Sequence, residues 1–233
     1  LNGPYSGNEG QAVQLSGASS FDLEGASLIY RWDLDNDGIF GEPGQESEGA
    51  NILVTYPQDG TYPVSLEVQD SLGKTDRDHV LVNVRNVRPL MNQLLTNSPI
   101  NEGGVLEVML EGSDVGVEDQ LNYAIDWEGN GVFENVGMSS SHRYTEDGTI
   151  SAQAKVFDND GGSTIVPLPI IINNLPPSIQ QVIANNPSNE GAEVRFVVQA
   201  VDPGQDPLTY RFDFDDDGVF EESNAFGEAT MVY

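Results

Sequence analysis

The sequence has no cysteine, which excludes disulfides, thiolate metal sites and thiol nucleophiles, though not secretion. It is poor in basic residues: 9 Lys and Arg stand against 38 Asp and Glu, giving a formal net charge of −29 over 233 residues. That balance argues against a nucleic-acid partner, because a phosphate backbone is bound by dense Lys and Arg. It favours cations, or serves solubility alone. No apolar run approaches the ~20 residues of a membrane-spanning helix, so no membrane insertion is expected in this segment. Aromatic residues make up 8% and hydrophobic residues 38%, low for a globular chain but too high for a disordered acidic tail. The chain opens at Leu1 with neither a charged n-region nor an apolar h-region. It is therefore expected to be a piece of something longer, with no signal peptide in this segment.

Catalytic signatures are also scarce. His79 and His142 fall in no nucleophile or zinc motif. Gly73-Lys74-Thr75 lacks the first glycine of a phosphate loop, whose place is taken by Val68. Paired carboxylates can serve a glycosidase, but here they recur in separate modules. No enzyme is expected.

What the chain does have is repetition. Asn8-Glu9-Gly10 recurs as Asn101-Glu102-Gly103 and Asn189-Glu190-Gly191, roughly 90 residues apart each time. The block Tyr30-Arg-Trp-Asp-Leu-Asp-Asn-Asp-Gly-Ile-Phe40 returns as Tyr123-Ala-Ile-Asp-Trp-Glu-Gly-Asn-Gly-Val-Phe133 and as Tyr210-Arg-Phe-Asp-Phe-Asp-Asp-Asp-Gly-Val-Phe220. Tyr56-Pro-Gln-Asp-Gly60 matches Tyr144-Thr-Glu-Asp-Gly148, and the third copy stops at the corresponding Tyr233. The last two strands of that copy, and the opening strand of the first, are expected to lie outside this sequence. Proline-bearing linkers near Val87-Arg-Pro89 and Leu175-Pro-Pro177 set the expected boundaries. These give copies over residues 1–88, 89–175 and 176–233.

Within each copy the apolar period is two. Val13 and Leu15 alternate with polar residues, as do Tyr30, Trp32 and Leu34; Ile52, Val54 and Tyr56; Tyr62, Val64, Leu66 and Val68; and Val80, Val82 and Val84. Short alternating strands punctuated by Gly, Asp and Pro predict an all-β chain of tandem immunoglobulin-like β-sandwich repeats, two nearly complete and a third truncated.

The same parity puts Asp33, Asp35, Asp126, Glu128, Asp213 and Asp215 on the outward face. The pattern Asp-x-Asp-x-Asp-Gly is the first half of a calcium loop, in which hard oxygen ligands at positions 1, 3 and 5 and the carbonyl at 7 surround the cation. The first copy offers Asp33, Asp35, Asp37 and the Ile39 carbonyl; the third offers Asp213, Asp215, Asp217, the Val219 carbonyl and Glu221. The second offers a weaker set, Asp126, Glu128, Asn130 and the Val132 carbonyl. Position 12 is Gly44 or Asn224, so the bidentate Glu of an EF-hand is absent and the closing ligand must come from elsewhere. Sandwich connectivity suggests Glu9 and Asp59 for the first loop and Glu190 for the third.

Polar turns on an acidic surface are the plainer explanation, but density weighs against it. The windows 33–48, 126–134 and 213–228 hold 16 of the 38 acidic residues and no Lys or Arg. A second acidic set falls in the turns at the opposite end of each sandwich: Asp22, Glu24 and Asp70, then Asp114, Glu118, Asp119, Asp158 and Asp160, then Asp202 and Asp206. Hairpin turns use Asp anyway. A sharper expectation is a junction calcium between Asp33–Asp37 and Asp114 or Asp158.

Gly3-Pro4-Tyr5, Asn8-Glu9-Gly10, Asp22-Leu-Glu-Gly, Tyr30-Arg-Trp-Asp, Tyr62-Pro-Val-Ser-Leu-Glu-Val-Gln-Asp70 and Asp202-Pro-Gly-Gln-Asp-Pro-Leu-Thr-Tyr210 resemble the PKD domain family. The resemblance implies a β-sandwich module of extracellular and cell-surface proteins, used for spacing, adhesion, or binding of protein or polysaccharide. The step Trp32-Asp-Leu-Asp-Asn-Asp-Gly38 departs from the family's commoner Trp-Asp-Phe-Gly-Asp-Gly and is what favours a metal loop. The leading expectation is an extracellular structural or adhesive array whose partners are neighbouring repeats or other surface proteins. The alternative is an accessory polysaccharide- or protein-binding region of a secreted hydrolase. Both Trp residues fall on the inward parity, which weighs against sugar stacking.

Overall fold

A computed structural model describes residues 1–41, 47–185 and 189–232. Gly44 and Tyr233 lie outside the described residues. Every regular element among the described residues is a β-strand, as the period-two pattern requires. The first copy holds β1 (Tyr5–Asn8), β2 (Ala12–Ser16), β3 (Ile29–Asp33), β4 (Asn51–Thr55), β5 (Gly60–Gln69) and β6 (Thr75–Arg85). The second holds β7 (Leu90–Thr96), β8 (Ile100–Asn101), β9 (Val105–Ser113), β10 (Asn122–Asp126), β11 (Glu134–Val136), β12 (Ser139–Arg143), β13 (Gly148–Phe157) and β14 (Ser163–Asn173). In the third are β15 (Ser178–Ala184), β16 (Glu193–Val201), β17 (Tyr210–Phe212), β18 (Glu222–Asn224) and β19 (Glu228–Val232).

In the first copy one sheet runs β1-β6-β5-β3 and the other pairs β2 with β4. Strand β1 runs parallel to β6, in register from Tyr5 opposite Val82 to Asn8 opposite Arg85. The remaining pairs are antiparallel. The alternating apolar positions meet between the sheets: Val13, Leu15, Trp32, Leu34, Ile52, Val54, Tyr56, Val64, Leu66, Val82 and Val84 are all buried. Each buried Val, Leu or Ile contributes about 1.5–3 kcal/mol relative to exposure. The indole N–H of Trp32 donates to the Gly49 carbonyl at 2.9 Å, so its burial leaves no orphan donor.

Two compact units divide the strands. One comprises Leu1–Gln93, Leu110–Ala124 and Ala154–Val166; the other comprises Leu94–Met109, Ile125–Gln153 and the described residues from Pro167 onward. The first unit therefore contains the first copy together with two segments of the second. These segments carry the turns at 114–119 and 158–162, which are tied to the first copy. The Val117 N–H donates to the Pro57 carbonyl at 3.1 Å, and the Asn86 side-chain amide donates to Asp158 Oδ2 at 3.1 Å. In the second unit the third copy forms the sheets β15-β16-β19 and β17-β18. It buries Phe212 and Ala229 but leaves Ile179, Val182 and Phe226 exposed.

Candidate metal centres in the acidic loops and at the junctions

The three acidic loops share one backbone shape, and their own side chains enforce it. At position 4, Asn36, Gly129 and Asp216 have φ of 62°, 68° and 60°; at position 6, Gly38, Gly131 and Gly218 have φ of 91°, 87° and 87°. Glycine takes such angles without the cost a Cβ imposes. The carboxylate at position 1 accepts the N–H of position 6 in each loop: Gly38 to Asp33 at 3.0 Å, Gly131 to Asp126 at 2.7 Å, Gly218 to Asp213 at 2.9 Å. The position 5 side chain accepts the N–H of position 7: Ile39 to Asp37 at 2.7 Å, Val132 to Asn130 at 2.8 Å, Val219 to Asp217 at 2.8 Å.

In the first loop Asp33, Asp35 and Asp37 converge, one oxygen from each lying within 4.8 Å of the others. Asp33 is only 2% exposed, and its Oδ1 is buried with no hydrogen-bond partner. Parity gives Asp33 the outward face, but that face is not open to solvent here. The side chain does leave the core, but the loop folds back and covers it. Its cover is held by Asn36, whose Oδ1 accepts the Ser65 hydroxyl at 3.4 Å, and by Phe40, over whose ring the Arg77 guanidinium sits at 4.5 Å. In the third loop Asp213, Asp215, Asp217 and Glu221 converge within the same 4.8 Å. Glu221 also accepts the Phe214 N–H at 2.8 Å. Burial pushes the Asp213 carboxyl up, but the amides of Gly218, Asp216, Asp215 and Asp217 outweigh it and hold the group below its ordinary value.

The second loop does not converge. Asp126, 1% exposed, spends both oxygens on backbone amides, of Asn130 at 3.0 Å and of Gly131 at 2.7 Å. Like Asp33, it is buried although parity gives it the outward face. Glu128 turns instead to His142, 3.8 Å away, whose ring stacks on Trp127. Asn130 brings no charge, and Val132 is exposed.

The expected closing ligands go elsewhere. Glu9 groups with Asp114 and Asp119, and Asp59 with Asp119 and Asp160; neither joins Asp33–Asp37. Strand β3 ends at Asp33 opposite Ser65, five residues short of the Gly60 end of β5, which is about 17 Å at ~3.3 Å per residue. The first loop thus lies partway along the sheet, while Glu9 and Asp59 sit at its end. Glu190 is exposed in a turn and joins no carboxylate group among the described residues. A matching group forms in the second unit from Glu102, Asp147 and Asp206.

Burial raises the Glu9 carboxyl, and the charges of Asp119 and Asp114 add to it against the amides of Val87 and Asp59. Asp114 is raised by burial, with Asp119 and Asp158 adding to it. Asp160 is likewise held up by burial and by Asp59 and Asp119. The sequence reading assigned Asp119, Asp160 and Asp206 to turns and left Glu102 and Asp147 as mere landmarks. The signal was present: Glu102 and Asp147 repeat Glu9 and Asp59 in two of the landmark motifs.

Residues 1–84 match the family model described as the PKD domain. The first copy is thus similar to the PKD domain over nearly its whole length. Collagenase ColQ1 of Bacillus cereus strain Q1 is 33% identical over 86 residues, covering 37% of this chain and 8% of that protein. Collagenase ColA of Bacillus cereus strain ATCC 14579 is 34% identical over 85 residues, covering 36% and 8%. This chain thus spans 8% of the length of these relatives. Among solved structures, the PKD1 domain of Vibrio anguillarum Epp is 22% identical with a TM-score of 0.30, over 38% of this chain and 96% of that one. Among the described residues no helix is long and apolar enough to cross a membrane.

Proposed function

We propose that this chain is a non-catalytic extracellular repeat array that spaces and presents attached domains, stiffened by calcium in its first and third acidic loops. The observation that carries this reading is the Asp33 carboxylate: its Oδ1 is buried with no hydrogen-bond partner, and one oxygen each of Asp33, Asp35 and Asp37 lie within 4.8 Å of one another. A buried carboxylate oxygen beside two like charges is costly, and a bound cation offsets that cost. All the donors are hard oxygens, which suits calcium. Asp33, Asp35, Asp37 and the Ile39 carbonyl would hold one ion; Asp213, Asp215, Asp217, Glu221 and the Val219 carbonyl would hold another. The Asp126 loop would bind weakly or not at all, because its carboxylates are already engaged. The partners of such an array are its own neighbouring copies and other surface proteins.

The collagenase relatives favour a second reading, an accessory region of a secreted hydrolase that binds protein or polysaccharide. Both Trp residues are buried, which leaves no tryptophan platform for sugar stacking. Calorimetric titration of the full chain with CaCl2 tests the first reading. Binding heat and a rise in Tm are expected, both reduced in Asp33→Asn/Asp35→Asn and in Asp213→Asn/Asp215→Asn. A ligand at a hundred times its Kd stabilises by about 2.7 kcal/mol. No heat and no melting shift at millimolar calcium would overturn it. Co-sedimentation with fibrillar collagen or insoluble polysaccharide would put the second reading first.

A further inference from the structure

We propose that each junction between consecutive copies is itself a calcium site, built from carboxylates of both copies and separate from the acidic loops. At the first, Glu9 groups with Asp114 and Asp119 of the next copy, and Asp59 groups with the same Asp119 and with Asp160; the second comprises Glu102 and Asp147 with Asp206. Each cluster lies wholly within one compact unit. The two are built alike. Glu9 and Glu102 are the glutamates of the Asn-Glu-Gly landmark, Asp59 and Asp147 each precede the glycine that opens β5 or β13, and Asp119 and Asp206 come from the following copy.

A cluster of acids alone is no site, but here a buried oxygen points to a ligand. Glu102 is 3% exposed. Its Oε1 accepts the Leu175 N–H at 2.7 Å, while its Oε2 is buried with no hydrogen-bond partner. That oxygen is aimed at the following copy: a Cβ on Gly204 would lie 2.3 Å from it and 3.3 Å from the Thr145 carbonyl. At the first junction Glu9 is 1% exposed, with Oε1 accepting from Val87 at 2.7 Å and Oε2 from Asp59 at 2.9 Å. There the oxygens left over belong to Asp114 and Asp119, whose Oδ2 atoms are both buried without partners.

Among the described residues no Lys, Arg or His forms an ion pair with any of these carboxylates. Buried charges are ordinarily paired or coordinate a metal. With oxygen donors only, and no thiolate or imidazole, the site suits a hard cation with a large and flexible shell, which is calcium. Magnesium demands near-octahedral geometry and dehydrates reluctantly. A cation here bonds two copies at once, so its binding fixes the angle between them.

The test uses the full chain with the loop ligands removed (Asp33→Asn, Asp35→Asn, Asp213→Asn, Asp215→Asn), so that failure at the loops and failure at the junctions are distinguishable. Calorimetry with CaCl2 should still show binding, and Glu102→Gln/Asp206→Asn in that background should remove one site or weaken it at least tenfold. Because the chain has no cysteine, spin labels on Glu107→Cys and Thr230→Cys report the second junction by dipolar spectroscopy. Calcium should narrow the distance distribution, and the junction variant should abolish the narrowing. Asp147→Asn serves as a milder second variant, with circular dichroism confirming that both variants fold. No residual binding in the loop-deficient chain, a distribution unchanged by EDTA, or an equal response to MgCl2 would overturn the proposal.

Discussion

The loops Asp33–Ile39 and Asp126–Val132 follow the same path and differ in what their charges face. In both, the position 1 carboxylate receives the glycine amide at position 6 and the position 5 side chain receives the amide at position 7. In the second loop the remaining oxygen of Asp126 takes the Asn130 amide, and Glu128 has turned to His142. In the first, the remaining oxygen of Asp33 has no partner, and Asp35 and Asp37 converge on the same carboxylate. Backbone shape therefore comes from the first carboxylate and the glycine, and the two loops differ in the charges added around them.

The largest expected effect breaks the shape. Asp126→Ala leaves two amide donors without their acceptor, and hydrogen bonds to a charged group contribute about 1.5–3 kcal/mol each. A loss of about 3 kcal/mol is expected in urea denaturation, unchanged by calcium. If the loss shrank when calcium was added, the second loop would be a metal site after all.

The next effect is smaller and should be common to both loops. Nothing lies within 4 Å of a Cβ placed on Gly38 or Gly131, so alanine there costs only the left-handed backbone, about 1–2 kcal/mol. Equal losses at Gly38→Ala and Gly131→Ala in EDTA would support a shape that owes nothing to metal. A much larger loss at Gly38 would separate the two.

The smallest effect is a pH dependence in the third loop. The Asp213 carboxyl is held below its ordinary value by four backbone amides acting against burial. A depressed folded value means that the unfolded chain takes up the proton first, so stability falls as pH falls. In EDTA the advantage of the natural chain over Asp213→Asn should therefore be present at neutral pH and fade on acidification through the ordinary carboxylate range. An advantage that grew on acidification would contradict the role given to these amides.

Much of this was legible in the residues. Trp32, Leu34, Ile125 and Trp127 are buried where period two put them. The same rule was silent on the burial of Asp33 and Asp126, because parity tells which face of a sheet a side chain takes and not whether a loop will fold back over that face. The junction was half legible. Acids in the turns at 114 and 158 were expected to meet the preceding copy, but as partners of Asp33–Asp37 rather than of Glu9 and Asp59. Sandwich connectivity gives the end at which a loop emerges. The length of β3, which stops opposite Ser65, decides how far along the sheet it emerges, and no local pattern encodes that.

The parallel pairing of β1 with β6 has a mechanical consequence. The chain enters the first copy along Tyr5–Asn8 and leaves it along Val82–Arg85, with the two segments side by side and pointing the same way. Tension applied at the ends drives them past one another in shear. Their hydrogen bonds then share the load together, whereas a hairpin pulled from its open end surrenders its bonds one at a time. Glu9, which grips the Val87 amide just beyond the exit strand, adds a latch at the point where the force leaves.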